Sequence, residues 1–117
     1  MPGKVRRGDV VYVALDPTVG AEMKKTRRCV VVQNDVANRL VPRTIIVPAT
    51  DAEHVKKMFP AYVFVKKGDG GFMKDSVIEC DQIRIVSEER LGAVLGRVSE
   101  PVLHAIGTAL KISLALD

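Results

Sequence analysis

Six short runs rich in β-branched and aromatic residues recur through the first 86 positions: residues 10–15, 29–33, 44–47, 62–65, 76–80 and 82–86. Branching at Cβ stiffens a side chain and suits it to a pleated sheet, so each run predicts a strand. Turn-forming residues separate them: Asp16-Pro17, Asn34-Asp35, Pro42, Pro60 and Gly68-Asp69-Gly70-Gly71. The last group predicts a hairpin between the Tyr62 and Ser76 strands. Strands this short and this frequent predict a small barrel or a curled antiparallel sheet.

The end of the chain changes character. A short turn is predicted after Ser87, through Glu88-Glu89-Arg90-Leu91, and a further strand over residues 93–98. Ser99 is placed to cap a helix whose first turn holds Glu100 and Pro101. Val102, Ile106, Leu110 and Leu114 then recur at every fourth position, with Leu103 beside them, which marks one apolar face. The expected fold is mainly β, a barrel closed or flanked by a C-terminal helix.

A chain of 117 residues with 47% apolar side chains can bury one core. No repeat or linker divides it, so residues 1–117 are expected to form a single domain. No stretch approaches the roughly 20 apolar residues of a membrane span. The segment Met1-Pro2-Gly3-Lys4-Val5-Arg6-Arg7 lacks the apolar centre of a secretory signal, so a soluble cytoplasmic protein is expected. Cys29 and Cys80 lie in apolar runs without CxxC spacing, which predicts buried, reduced thiols. Two cysteines with the scattered His54 and His104 make no zinc ligand set, and no metal is expected.

Charge is distributed unevenly along the chain. Residues 1–43 hold nine Lys/Arg against four acids, and residues 75–117 hold four against seven. A basic front on an acidic rear suits a polyanion or an acidic partner met by one face. The densest stretch is Glu22-Met23-Lys24-Lys25-Thr26-Arg27-Arg28, four cations in seven residues, read as a loop between two strands. Arg27 is set apart because it directly precedes a buried strand that would hold its base rigid, as a phosphate-directed guanidinium requires.

Arg7-Gly8-Asp9-Val10, then Leu15-Asp16-Pro17 with Gly20 and Glu22, then Arg27 leading into Val30-Val31-Val32-Gln33-Asn34, resembles the MazF/PemK family of toxin endoribonucleases. The resemblance continues through Ile46-Val47-Pro48-Ala49-Thr50, Asp75-Ser76-Val77-Ile78 and Asp81-Gln82-Ile83-Arg84 to the C-terminal helix, covering nearly the whole chain in one order. It implies an SH3-like barrel working as a homodimer and a toxin restrained by an acidic, MazE-like antitoxin that blocks the RNA groove. The implied activity is metal-independent, sequence-specific cleavage of single-stranded RNA to 2′,3′-cyclic phosphate and 5′-hydroxyl ends. By position, Arg27 and Thr50 fall where the family keeps its catalytic pair, while Glu22, Asp81 and Gln82 fall on the RNA groove. Lys24, Lys25 and Arg28 are further candidates for RNA contact. Two residues depart from the family pattern: Arg28 stands where proline is usual, and Asp51 where a small residue is usual.

The implied chemistry can be checked against the residue inventory, which does not identify the general base. Cleavage by the RNA's own 2′-hydroxyl needs a base, an acid and stabilisation of the charge that builds on phosphorus. His54 and His104 fall in different predicted elements, which disfavours a two-histidine mechanism, and the dispersed acids disfavour a two-metal one. A guanidinium and a hydroxyl remain. Arginine is a poor base at its ordinary pKa, so Arg27 is expected to stabilise charge and Thr50 to position the phosphate. Among the aromatics, Phe59 beside Pro60 is the best candidate for stacking a base. The alternative is a non-catalytic barrel that binds DNA gyrase or nucleic acid, which would have no use for the Arg27–Thr50 pair.

Overall fold

The computed structural model describes residues 5–16, 18–22 and 25–117. Among these residues seven strands are present: β1 (Asp9–Ala14), β2 (Thr26–Val31), β3 (Arg43–Asp51), β4 (Tyr62–Val65), β5 (Ser76–Glu79), β6 (Arg84–Ser87) and β7 (Leu91–Arg97). Helix α1 (Asp35–Leu40) follows β2, and α2 (Glu100–Ser113) ends the fold. All pairings are antiparallel, and the strand order is β4-β5-β3-β2-β1-β7 with β6 also on β3. The six strands expected over residues 10–86 and the further strand after Leu91 are all found. The sheet is curled rather than closed, because no ladder joins β4 to β7.

Strand β3 makes the curl possible. Its first half pairs with β6, with Ile46 opposite Arg84, and its second half pairs with β5, with Thr50 opposite Val77. One nine-residue strand therefore serves two sheets and bends between them. The ends of the strand order meet through backbone contact instead of hydrogen-bonded strands. The 3₁₀ turn Asp69–Gly71, in the connection from β4 to β5, packs on β7. An added Cβ on Gly96 would lie 2.6 Å from the Gly70 carbonyl oxygen, and one on Gly71 would lie 2.6 Å from that of Leu95. Only glycine allows so close an approach.

Two apolar cores flank the sheet. Val10, Val30, Val47, Val65, Phe72 and Ile78 pack with Ile106 and Ala109 of α2 on one side. Val11, Val13, Leu15, Cys29, Val31, Ile46 and Val86 fill the other. Burial of both faces explains why β1 and β2 read as nearly continuous valine runs, without the alternation of a half-exposed strand. Cys29 and Cys80 are both free and buried, and burial pushes each thiol up to about 12. They are protonated at neutral pH.

Two local readings need correction. Asn34-Asp35 is not a simple turn but the start of α1: the Asn34 side chain accepts from the Ala37 N–H at 2.9 Å. A six-residue helix whose one buried side chain is Asn38 shows no apolar face, so periodicity misses it. Asn38 is held by Gln33, Thr44 and Asp35, and its carboxamide ties α1 to β3. Ser99 does occupy the N-cap position of α2, but its hydroxyl donates to Asp69 at 2.7 Å instead of capping. Its backbone N–H also donates to Asp69, at 2.8 Å, which fastens the helix to the 69–71 turn. Along α2, Ile106 is buried, Val102, Leu103 and Leu110 pack against the core, and Leu114 is exposed.

Candidate active site

Arg27 lies within β2, the second residue of the strand, and not in a loop before it. The β2–β3 register pairs Cys29 with Pro48 and Val30 with Val47. Carried two residues further, it sets Arg27 opposite Thr50. Both residues line one cleft of about 360 Å³, together with Tyr12, Arg28, His54 and Lys74. Each is half-buried on a strand interior, so neither is left to the mobility of a loop.

Strand alternation turns Arg28 to the opposite face from Arg27. Its guanidinium sits 5.0 Å from the centre of the Tyr12 ring, its cross-strand neighbour, and still reaches the rim of the cleft. Asp51 alternates with Thr50 in the same way and, like Arg28, still reaches the rim of the cleft. Lys74 meets it at 3.7 Å and Glu53 at 3.3 Å. These exposed pairs add little stability, but they offset a carboxylate next to the cleft.

Glu22, Asp81 and Gln82 meet in a second depression of about 660 Å³ with Pro48 and Arg84. Glu22 is exposed there, and its carboxylate accepts the Val19 N–H at 2.6 Å. Lys25 is exposed, with a left-handed backbone (φ 69°), and lines neither depression. Lys24, Met23 and Pro17 lie outside the described residues. The expected seven-residue basic loop is therefore shorter, because Thr26, Arg27 and Arg28 belong to β2. Among the described residues, no three His, Cys, Asp or Glu side chains gather as metal ligands.

Glu79 is the residue that the sequence reading missed. Val77 pairs with Thr50, so Glu79, two residues on along β5, shares its face. It is only 8% exposed. Gln82 Nε2 donates to it at 3.4 Å, and the Tyr62 hydroxyl, directly across the β4–β5 ladder, lies within hydrogen-bonding reach. Burial raises the Glu79 pKa first and the Asp81 charge adds to this, against the lowering influence of Tyr62, Gln82 and Arg27. The signal was available: a glutamate between Ile78 and Cys80 is out of place in a buried strand.

A raised carboxylate pKa means that ionised Glu79 costs stability above its folded pKa, and that this cost is relieved as pH falls through it. Glu79→Gln is therefore expected to raise the melting temperature at pH 7.5, with the gain shrinking as the pH is lowered towards 4. Thermal melts of both proteins across that range test this. A gain that grew on acidification would reverse the sign of the argument.

The profile of the family described as PemK-like, MazF-like toxin of type II toxin–antitoxin system matches residues 6–114. The chain belongs to this family. It is 39% identical over 112 residues to endoribonuclease EndoA of Bacillus subtilis (strain 168), covering 96% of each protein. To endoribonuclease MazF of Staphylococcus epidermidis it is 37% identical over 113 residues, covering 97% of this chain and 93% of the other. Among solved structures, MazF from Deinococcus radiodurans matches with a TM-score of 0.80 at 20% identity, over 96% of this chain and 97% of that one. A mycobacterial endoribonuclease solved with its cognate antitoxin matches at 0.79 and 23% identity, over 97% of each chain. The curled sheet with its terminal helix is thus the MazF-like, SH3-like fold, and the chain is a toxin endoribonuclease of the MazF/PemK type.

Proposed function

We propose that this toxin cleaves single-stranded RNA in the cleft between β2 and β3, with Arg27 and Thr50 acting on one phosphate. The observation that carries the proposal is that the two residues lie on adjacent strands and line the same cleft. When the 2′-hydroxyl attacks phosphorus, charge builds on the non-bridging oxygens. A guanidinium already in place stabilises that charge without reorganising at the moment of reaction. The Thr50 hydroxyl donates to the same phosphate and fixes its position for in-line attack. The products are a 2′,3′-cyclic phosphate and a 5′-hydroxyl end, formed without a metal ion. Arg28, Lys24, Lys25, Glu22, Asp81 and Gln82 are proposed contacts for the rest of the strand. The deciding experiment incubates pure protein with a defined RNA in EDTA and determines the end groups by mass spectrometry. Cyclic phosphate ends are expected, and 3′-hydroxyl ends would sink the mechanism.

Residues 1–117 are proposed to act as one domain in a cytoplasmic homodimer. Among the described residues no helix is long and apolar enough to cross a membrane. Beyond the buried part of α2, Ile112, Leu114 and Leu116 are 50%, 55% and 60% exposed, an apolar patch that a second copy would cover. Sedimentation at micromolar concentration is expected to give twice the 12.8 kDa monomer mass. A single species at the monomer mass would count against the dimer. The proposed restraint is an acidic, MazE-like antitoxin segment whose carboxylates replace phosphates along the cleft. Its affinity should fall as salt rises, and affinity indifferent to salt would show an apolar contact instead.

A further inference from the structure

A third hollow opens beside the catalytic cleft and shares Thr50 and His54 with it. It measures about 360 Å³, room enough for a nucleobase. Phe59 forms part of its wall, 49% exposed, with Tyr62 edge-on to it at 5.3 Å between ring centres. Lys57 Nζ lies 5.5 Å from the centre of the Phe59 ring, and Lys56 lines the same hollow. Glu79 also lines it. Along β5 Glu79 lies about 7 Å from the residue paired with Thr50, two residues of strand rise.

We propose that this hollow is a base-reading subsite of the RNA cleft. Phe59 stacks the nucleobase next to the scissile phosphate, and the Glu79 carboxylate selects bases that carry an exocyclic amino group over uracil. The inference rests on the endoribonuclease reading and adds to it a residue that sets specificity.

The argument is one of donors and acceptors. An ionised carboxylate only accepts hydrogen bonds, at about four lone-pair positions. Gln82 and Tyr62 engage part of that capacity, and the side chain lines the hollow that the base would enter. Adenine, cytosine and guanine each present an amino group able to donate to it. Uracil has no amino group: it can offer the carboxylate only its single ring N–H, flanked on both sides by carbonyl oxygens that repel the carboxylate oxygens. A buried polar group so poorly paired is costly. An exposed aromatic ring next to a buried acceptor meets both needs of single-strand recognition, a face to stack on and an edge to read. The two lysines supply charge for the flanking phosphates.

The test is cleavage of an RNA library randomised around the cut site, with the ends sequenced, for the wild type, Glu79→Gln and Phe59→Leu. The wild type is expected to disfavour uracil about tenfold or more at one position adjacent to the scissile bond. Glu79→Gln keeps the shape but offers both a donor and an acceptor, so uracil should rise to within about threefold of the other bases there. Preferences elsewhere should stay as they were. Phe59→Leu, at an exposed position that leaves the core intact, should lower kcat/KM about tenfold without changing the preferred bases. A Glu79→Gln profile identical to the wild type would overturn the subsite. So would a wild type that accepts uracil equally at both positions flanking the cut. A wild type that leaves the library uncut would instead refute the endoribonuclease reading, and the subsite with it.

Discussion

Replacing Arg27 by alanine is expected to lower the single-turnover cleavage rate by at least about 10²–10³, the usual consequence of losing one preorganised donor. Loss of the full positive charge should push it beyond that range. Arg27 is half-buried and still pairs with Val13 of β1, but it lies beyond the Cys29–Pro48 pair that ends the β2–β3 ladder, so the fold should survive its truncation. Thr50→Ala should also be severe. If the two groups act on one phosphate, as proposed, the double variant should be scarcely worse than either single one, because their effects need not add. Arg28→Ala provides the comparison. It removes an equal charge from the other face of the same strand, together with its contact to Tyr12. Binding should weaken modestly, and the rate at saturating RNA should be retained. Circular dichroism of each variant confirms folding. An Arg27→Ala protein that cleaved within about threefold of the wild-type rate would remove charge stabilisation from the mechanism. If Arg28→Ala were the inactive variant instead, the catalytic arginine would be one residue further along.

The second large effect is on stability. Gly96→Ala is expected to cost about 3 kcal/mol, the upper part of the range for overpacking. The obstacle is backbone: the Gly70 carbonyl oxygen at 2.6 Å, its carbon at 2.7 Å and the Gly71 nitrogen at 3.1 Å. None of these can turn aside as the tip of a side chain would. Gly107→Ala provides a control of opposite sign. Gly107 lies inside α2, and its added Cβ would meet only an Arg7 side-chain nitrogen, at an ordinary 3.8 Å. Alanine there should stabilise by about 0.5–1 kcal/mol through helix propensity. Urea denaturation of both variants measures the difference. A Gly96→Ala protein as stable as the wild type would mean that the 69–71 turn can lift off β7 without cost.

Most strands were legible because burial on both faces writes itself into the chain as runs such as Val10-Val11-Tyr12-Val13 and Cys29-Val30-Val31-Val32. Helix α2 was legible from its spacing and its proline. What stayed hidden depends on polar contacts between distant segments. Asn38 stabilises α1 through Gln33 and Thr44, and the Asp69 carboxylate takes the hydroxyl that Ser99 would otherwise use as a cap. Neither arrangement has a periodicity to detect. Arg27 and Thr50 are singled out by family resemblance, and the register of β2 on β3 is what brings the two to one cleft. Glu79 is marked in the sequence only as a glutamate inside an apolar run, and which face it stands on is defined only by the folded sheet.

The partnership of β1 with β7 has a consequence for the time at which the molecule becomes complete. Val10 pairs with Gly96, and the Arg97 guanidinium donates to the carbonyl of Arg7 across 90 residues of sequence. Contacts between such distant segments form late and slow the folding of a chain. During synthesis β1 and β2 can pair early, but the outer edge of β1 stays bare until β7 has been made. A message cut short before the codons for β7 therefore yields a chain with an unpaired strand edge, fit for degradation or aggregation. The enzyme is assembled only once the codons for β7 have been read, so a messenger RNA intact through that point is a condition of its own appearance.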